Sequence, residues 1–247
     1  MKNKALLLLL LTGLVAGCRF RTSKDNDDDD KGTPAGTVVS NADSSVYNLD
    51  NKTAVKTARL NLEGAAIVVN LSDTTGKLFN AVVKDTRRKF ALSQQTTDSG
   101  EVVNFIMKGQ NHLNHSDSAS VALCLNPDPQ WDIHAKVAAT QCNFDFSKFK
   151  ISELRLTCAA GQMNVKLTPV LESTDVEITA TVSDITVRIP QNAACEVHLE
   201  SALAGNDFSG FLKKDENHYE TPGFATAKNK VHIRANCSLS SFKIERY

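Results

Sequence analysis

Three short stretches decide how this chain is read: Asn143-Phe144-Asp145-Phe146, Asn164-Val165-Lys166-Leu167 and Thr186-Val187-Arg188-Ile189. Each alternates apolar and polar residues, the period-two pattern of a strand with one face buried. They recur at steps of 21 and 22 residues, from 143 to 164 to 186. A second pattern recurs beside the first, at Leu154-Arg155-Leu156-Thr157, Val176-Glu177-Ile178-Thr179 and Val197-His198-Leu199-Glu200. An earlier copy is read at Val121 to Leu125 followed by Ile133-His134-Ala135-Lys136. A fixed period of this length is the mark of a repeat architecture. Two strands per 21–22 residues suit one rung of a β-solenoid, with Phe144, Val165 and Val187 stacked in one inner column and Leu156, Ile178 and Leu199 in another. Such a rung cannot bury its apolar face alone and needs neighbours. A plain β-sandwich with chance similarity between strands is the alternative.

Working outward, period-two runs extend back to about Thr53, as in Arg59 to Leu62, Ile67 to Leu71, Phe79 to Val83 and Val102 to Met107. Gly, Asn, Asp, Ser and Thr clusters between them read as turns. The expectation is one all-β domain over residues 53–247, with the clearest repeats in 119–247. The closing Phe242-Lys243-Ile244-Glu245-Arg246-Tyr247 is expected to be the charged last rung that blocks end-to-end stacking.

The first residues read as an address. Met1-Lys2-Asn3-Lys4 is basic, Leu6 to Leu11 is apolar, and Val15-Ala16-Gly17-Cys18 follows. The apolar run is too short to span a bilayer, and its order matches a secretory signal peptide over 1–17. The Val-Ala-Gly-Cys sequence resembles a bacterial lipobox, which makes Cys18 the lipidated residue and the membrane the first expected partner. Residues 18–52 carry Asp27 to Asp30, Gly32, Pro34 and Gly36 and read as a disordered acidic tether. The acidic cluster resembles the lipoprotein export signal of Bacteroidota, which implies the outer membrane with the domain at the cell surface. A periplasm-facing anchor is the alternative.

Ile185-Thr186-Val187-Arg188-Ile189-Pro190, Cys195 to Leu199, Gly210-Phe211, Lys230 to Ile233 and Phe242 to Glu245 resemble the putative-adhesin (LiaF-like) domain of bacterial envelope lipoproteins. The resemblance covers residues 119–247. It implies a β-solenoid, an envelope location and a structural or binding role, and it supplies no catalytic residues. Members are usually Gly-rich at rung corners, whereas this chain has 12 Gly in all.

The 247 residues balance 28 Lys+Arg against 28 Asp+Glu. That argues against a nucleic-acid partner, which would call for a basic stripe. Of six Cys, five remain beyond Cys18: Cys124, Cys142, Cys158, Cys195 and Cys237. None has the close spacing of a zinc or redox site. Small buried hydrophobes are the expected role of Cys142 and Cys158, and a disulfide among the five cannot be paired from sequence. His112 and His115 form the one close His pair, with Asp117 nearby, in what reads as a polar loop. Asp73-Thr74-Thr75 and Asp117-Ser118-Ala119 resemble the short O-glycosylation motif of Bacteroidota.

In the repeat frame His134, Arg155, Glu177 and His198 share an outward column, and Asp145, Lys166 and Arg188 share another. The first column is the candidate face for a glycan or protein ligand, with Arg155–Glu177 and Asp145–Lys166 as cross-rung pairs. No nucleophile elbow, phosphate-binding glycine loop or metalloprotease helix motif occurs. No cofactor or metal is expected. The reading is a non-enzymatic, adhesin-like lipoprotein. The alternatives are a periplasm-facing envelope-stress accessory and a polysaccharide-active β-helix enzyme.

Overall fold

Alternation of inward apolar and outward polar side chains runs through a computed structural model of the chain, which describes residues 36–51, 55–85, 88–109, 119–201 and 205–247. The chain divides into Met1–Lys31 and Gly32–Tyr247, and all described residues belong to the second unit. The signal peptide, Cys18, the acidic cluster, His112, His115 and Asp117 lie outside the described residues.

The strands are β1 (Thr37–Ser40), β2 (Ser44–Leu49), β3 (Thr57–Ala65), β4 (Ile67–Thr74), β5 (Phe79–Lys84) and β6 (Phe90–Thr97). Next come β7 (Gly100–Met107), β8 (Ala119–Leu125), β9 (Gln130–Ala138), β10 (Thr140–Asp145), β11 (Lys150–Lys166) and β12 (Ser173–Ile189). The last are β13 (Ala194–Ser201), β14 (Gly205–Asp207), β15 (Leu212–Lys213), β16 (His218–Glu220), β17 (Lys230–Cys237) and β18 (Ser241–Arg246). Among the described residues the fold is all-β, joined into one 18-stranded sheet, with a 3₁₀ turn at Phe224–Thr226.

Two ladders carry the architecture. In the first, β7, β3, β9, the N-terminal half of β11, that of β12, then β17 and β13 lie side by side in parallel. In the second, β8, β4, β10, the C-terminal halves of β11 and β12, then β18 and β14 do the same. Antiparallel strands close the flanks: β6 on β7, β5 and β2 beside β8, and β16 on β13. Asn143 pairs with Asn164, and Asn164 with Thr186, so the sequence period is the register of the ladder.

Between ladders the chain turns a corner, and the phase of burial flips there. In β11 Leu154, Leu156 and Cys158 point inward, then Met163 and Val165 do, around Gly161 at φ 132°. The equivalent corners of β3–β4 and β9–β10 hold Ala66 at φ 50° and Ala139 at φ 49°. At Gly161 a Cβ would overlap the Thr140 carbonyl oxygen, so glycine is required there. Thr140 is itself tied to the second ladder by a hydroxyl bond to the Ile67 carbonyl.

Inward residues of both ladders form one core. Leu71, Phe144, Val165, Val187 and Ile244 make one column, each buried to 2% exposure or less. Burying such side chains contributes roughly 1.5–3 kcal/mol apiece. Rings gather at both ends of the core: Tyr47, Phe79, Phe90 and Phe105 at one, Phe208, Phe211, Tyr219 and Phe242 at the other. Trp131, fully buried, donates its indole N–H to the Asn126 carbonyl at 2.8 Å.

The structure corrects three expectations. Leu199 does not stack on Ile178, because β17 enters between β12 and β13 and places Ala235 against both. Antiparallel β16 occupies the outer edge of β13, which leaves its inner edge for β17. For the same reason Phe242–Tyr247 is not the cap: β18 lies between β12 and β14. Strand pairing also begins at Thr37, inside the segment read as a tether, since Tyr47 and Leu49 bury against the core. The five cysteines are free thiols; Cys142, Cys158, Cys195 and Cys237 are buried and Cys124 is partly buried.

Candidate binding face

Because side chains alternate along each strand, the outward positions of the first ladder line up in rows across it. The row that contains the candidate residues runs Asn104, Asn61, His134, Arg155, Glu177, Arg234, His198 and His218. His134, Arg155 and Glu177 are direct neighbours, as the repeat predicts. His198 is displaced by one strand, since Arg234 of β17 stands between it and Glu177. The next row holds Arg59, Asp132, Glu153, Asp175, His232, Glu196 and Glu220.

Pairing is stronger between rows than along the first. Arg155 donates to Glu153 at 2.7 and 2.9 Å, while its Nε is 3.9 Å from Glu177. With Arg155 and Glu177 55% and 65% exposed, that longer pair contributes little. Glu153 also meets His134 Nε2 at 3.0 Å, and Arg59 reaches Asp132 at 3.1 Å. Burial pushes the Glu153 carboxyl up, but the hydrogen bonds and charges of His134 and Arg155 outweigh it and leave it below its ordinary value.

The outer surface of the second ladder carries a shallow groove of about 350 Å³. Its floor is an asparagine ladder: Asn164 donates its amide to Asn143 at 3.0 Å, and Asn143 donates to Asn70 at 2.9 Å. Lys166 donates to Asp145 at 3.2 Å, the pair the repeat predicts, and Arg188 turns instead to Glu245 at 2.8 Å. Burial raises the Asp145 carboxyl, but the Ser147 hydroxyl and amide together with Lys166 bring it below the usual range. This ladder was visible in the repeat as the recurring Asn143 and Asn164, a signal that the sequence reading did not weigh.

At the far end of the first ladder, Glu196-Val197-His198 on β13 faces His218-Tyr219-Glu220 on antiparallel β16. His198 opposes His218 and Glu196 opposes Glu220, so all four project from one face. The imidazoles of His198 and His218 stack at 4.2 Å. His232 of β17 hydrogen-bonds Glu196 at 2.6 Å from the other side. Burial raises the Glu196 carboxyl, while the bond to His232 and the charges of His232, His198 and His218 more than offset it and hold it low. Among the described residues, Glu196, His198 and His218 can each point one ligand atom to within 4.8 Å of the others. Of these residues only His198 is a candidate from the repeat; the mirrored Glu-x-His and His-x-Glu segments are the signal for the rest.

The model of the family described as the N-terminal domain of toast_rack, DUF2154, matches residues 35–188. No curated protein matches the chain. Among solved structures, a "putative cell adhesion protein" from Clostridium sporogenes ATCC 15579 superposes with a TM-score of 0.76 at 17% identity, over 83% of this chain and 99% of that one. That likeness shows the fold. A "putative adhesin" from Bacteroides fragilis NCTC 9343 gives a TM-score of 0.33 at 8% identity, over 86% of this chain and 99% of that one. Another from Parabacteroides distasonis ATCC 8503 gives 0.30 at 10% identity, over 86% and 98%.

Proposed function

The chain belongs to the family of toast_rack N-terminal domains, and from that premise we propose that it is an adhesin-like binding module of the bacterial envelope, held to the outer membrane by lipid on Cys18 and displayed at the cell surface. The paired strands are read as turns of one flattened β-solenoid, each turn giving one strand to each ladder, since both ladders pass through the turns in the same order. The observation that carries the binding role is the continuous outward row from Asn104 to His218. Neighbouring strands spaced about 4.8 Å apart give a long, flat face of regularly placed donors and acceptors. Such a face suits an extended or repeating ligand, a glycan or a protein strand, better than a small molecule in a closed pocket. The name of the Clostridium sporogenes protein agrees with this reading.

The first test is location. Proteinase K added to intact cells should remove the β domain while a periplasmic control survives, and Cys18→Ala should release the protein from the membrane fraction. Protection until lysis would refute display and favour a periplasm-facing accessory. The second test is binding of the purified chain to a glycan array and to immobilised matrix proteins. Neutralising the pair with Arg155→Gln and Glu177→Gln removes its charges without setting like charges against Glu153, and should weaken a genuine hit at least tenfold. An unchanged signal would remove this face as the binding surface.

A further inference from the structure

We propose that Glu196, His198 and His218 bind a divalent transition-metal ion, zinc in the first place, with Glu220 as a fourth ligand, and that the ion pins β16 to β13 at the end of the first ladder. A Glu-x-His segment on one strand and a His-x-Glu segment on its antiparallel neighbour place four ligating side chains in a square on a single face, and the observed register does so. Imidazole with carboxylate is a donor set that suits zinc.

The distances fit. Metal–ligand bonds of about 2.0–2.1 Å at tetrahedral angles separate neighbouring ligand atoms by about 3.3 Å. Nε2 of His218 stands 3.4 Å from Oε2 of Glu196 and 3.3 Å from Oε1 of Glu220. Nε2 of His198 is 3.9 Å from the same Glu196 oxygen, and its ring, now stacked on that of His218, must swing out of parallel for both lone pairs to meet one ion. These separations are no substitute for hydrogen bonds. Nε2 of His218 is buried and has no hydrogen-bond partner, in a side chain only 18% exposed. A buried polar atom set between two carboxylates without hydrogen-bond geometry to either is positioned as a ligand atom would be.

The surroundings hold the ligands as the second layer of a metal site does. Oε1 of Glu196 accepts from His232 Nδ1 at 2.6 Å, which leaves Oε2 free to face the two imidazoles. Oε2 of Glu220 is 3.3 Å from Lys214 Nζ, which turns Oε1 toward His218. Nδ1 of His218 lies 3.8 Å from Asp215, on the side of the ring away from the cluster. His198 is 50% exposed, so the site is open to solvent and to a chelator.

The test titrates the untagged, chelator-treated chain with Co²⁺, followed by its visible absorption, and with Zn²⁺ by calorimetry. The expected result is one ion per chain, a band intensity typical of four-coordinate cobalt, and a higher melting temperature on adding Zn²⁺. His198→Ala, at a half-exposed position that leaves the fold intact, and Glu196→Gln should each abolish the cobalt band. His232→Ala, which touches no metal, should weaken binding about 10–100-fold. His134→Ala should change nothing. Failure to bind either ion at micromolar concentration would overturn the proposal and leave the cluster a set of ion pairs. So would binding that survives His198→Ala and Glu196→Gln but disappears with His112→Ala and His115→Ala.

Discussion

Replacing Gly161 by alanine tests the corner on which both ladders depend. Gly161 has φ 132°, a conformation that L side chains rarely adopt, and holding alanine there costs about 1–3 kcal/mol in backbone strain. The added Cβ would also overlap the Thr140 carbonyl oxygen. Thr140 cannot withdraw freely, because it pairs with Gly161 in the parallel ladder and bonds the Ile67 carbonyl through its hydroxyl. The obstacle is backbone, so relief means displacing β10 from β11, and the expected loss is about 3 kcal/mol or more. For a domain of this size that lowers the melting temperature by roughly 6–12 °C. Urea unfolding followed by circular dichroism would measure it. Ala139→Gly at the neighbouring corner should behave oppositely. Alanine at φ 49° carries about 1–2 kcal/mol of left-handed strain, and glycine adds about 0.4–1 kcal/mol of unfolded-state entropy. The net gain is about 0–1.6 kcal/mol. A Gly161→Ala variant within about 0.5 kcal/mol of wild type, or an Ala139→Gly variant that loses 1 kcal/mol or more, would refute this account of the corner.

Three further outcomes are expected. Phe144→Ala, in the inner column, should cost about 3–5 kcal/mol, whereas Arg155→Ala on the outer row should stay within about 1 kcal/mol; equal losses in urea would contradict the assigned inner and outer faces. Asp145 and Glu153 are held below their ordinary values, so their stabilisation is complete above the unfolded carboxyl range and is lost as pH falls through the lower folded values. Melting temperature should therefore drop below about pH 4, and Lys166→Met should flatten that drop; an unchanged slope would remove Lys166 as a cause. Burial pushes the thiols of Cys142 to about 12 and Cys237 to about 11, and that of Cys195 higher still. Since the thiolate is the nucleophile, iodoacetamide at pH 8 should label Cys124 first and the buried thiols only in denaturant, with mass spectrometry as the readout.

The free thiols illustrate what composition leaves open. Five cysteines in a chain whose sequence reads as exported invite a disulfide, yet all five stand as free thiols, and Cys142, Cys158, Cys195 and Cys237 point into the core. Their inward direction was legible at Cys142 and Cys158, from the strands beside them. Their distance from one another was not, because pairing depends on which strands become neighbours.

Alternation along each strand is a local property: backbone geometry sends successive side chains to opposite faces, so the sequence alone determined the strands, the inner column of Phe144, Val165 and Val187, and the register of β10, β11 and β12. Neighbourhood is not local. Every parallel strand offers the same row of N–H and C=O groups at its edge, and nothing in β17 names β12 as its partner. Only the tertiary structure decided that β17 and β18 enter between earlier and later strands. That insertion moved His198 away from Glu177 and set His232 beside Glu196. The polar cluster at the end of the ladder is thus built from residues scattered between Glu196 and His232, brought together because antiparallel β16 took one edge of β13 and left the other for β17.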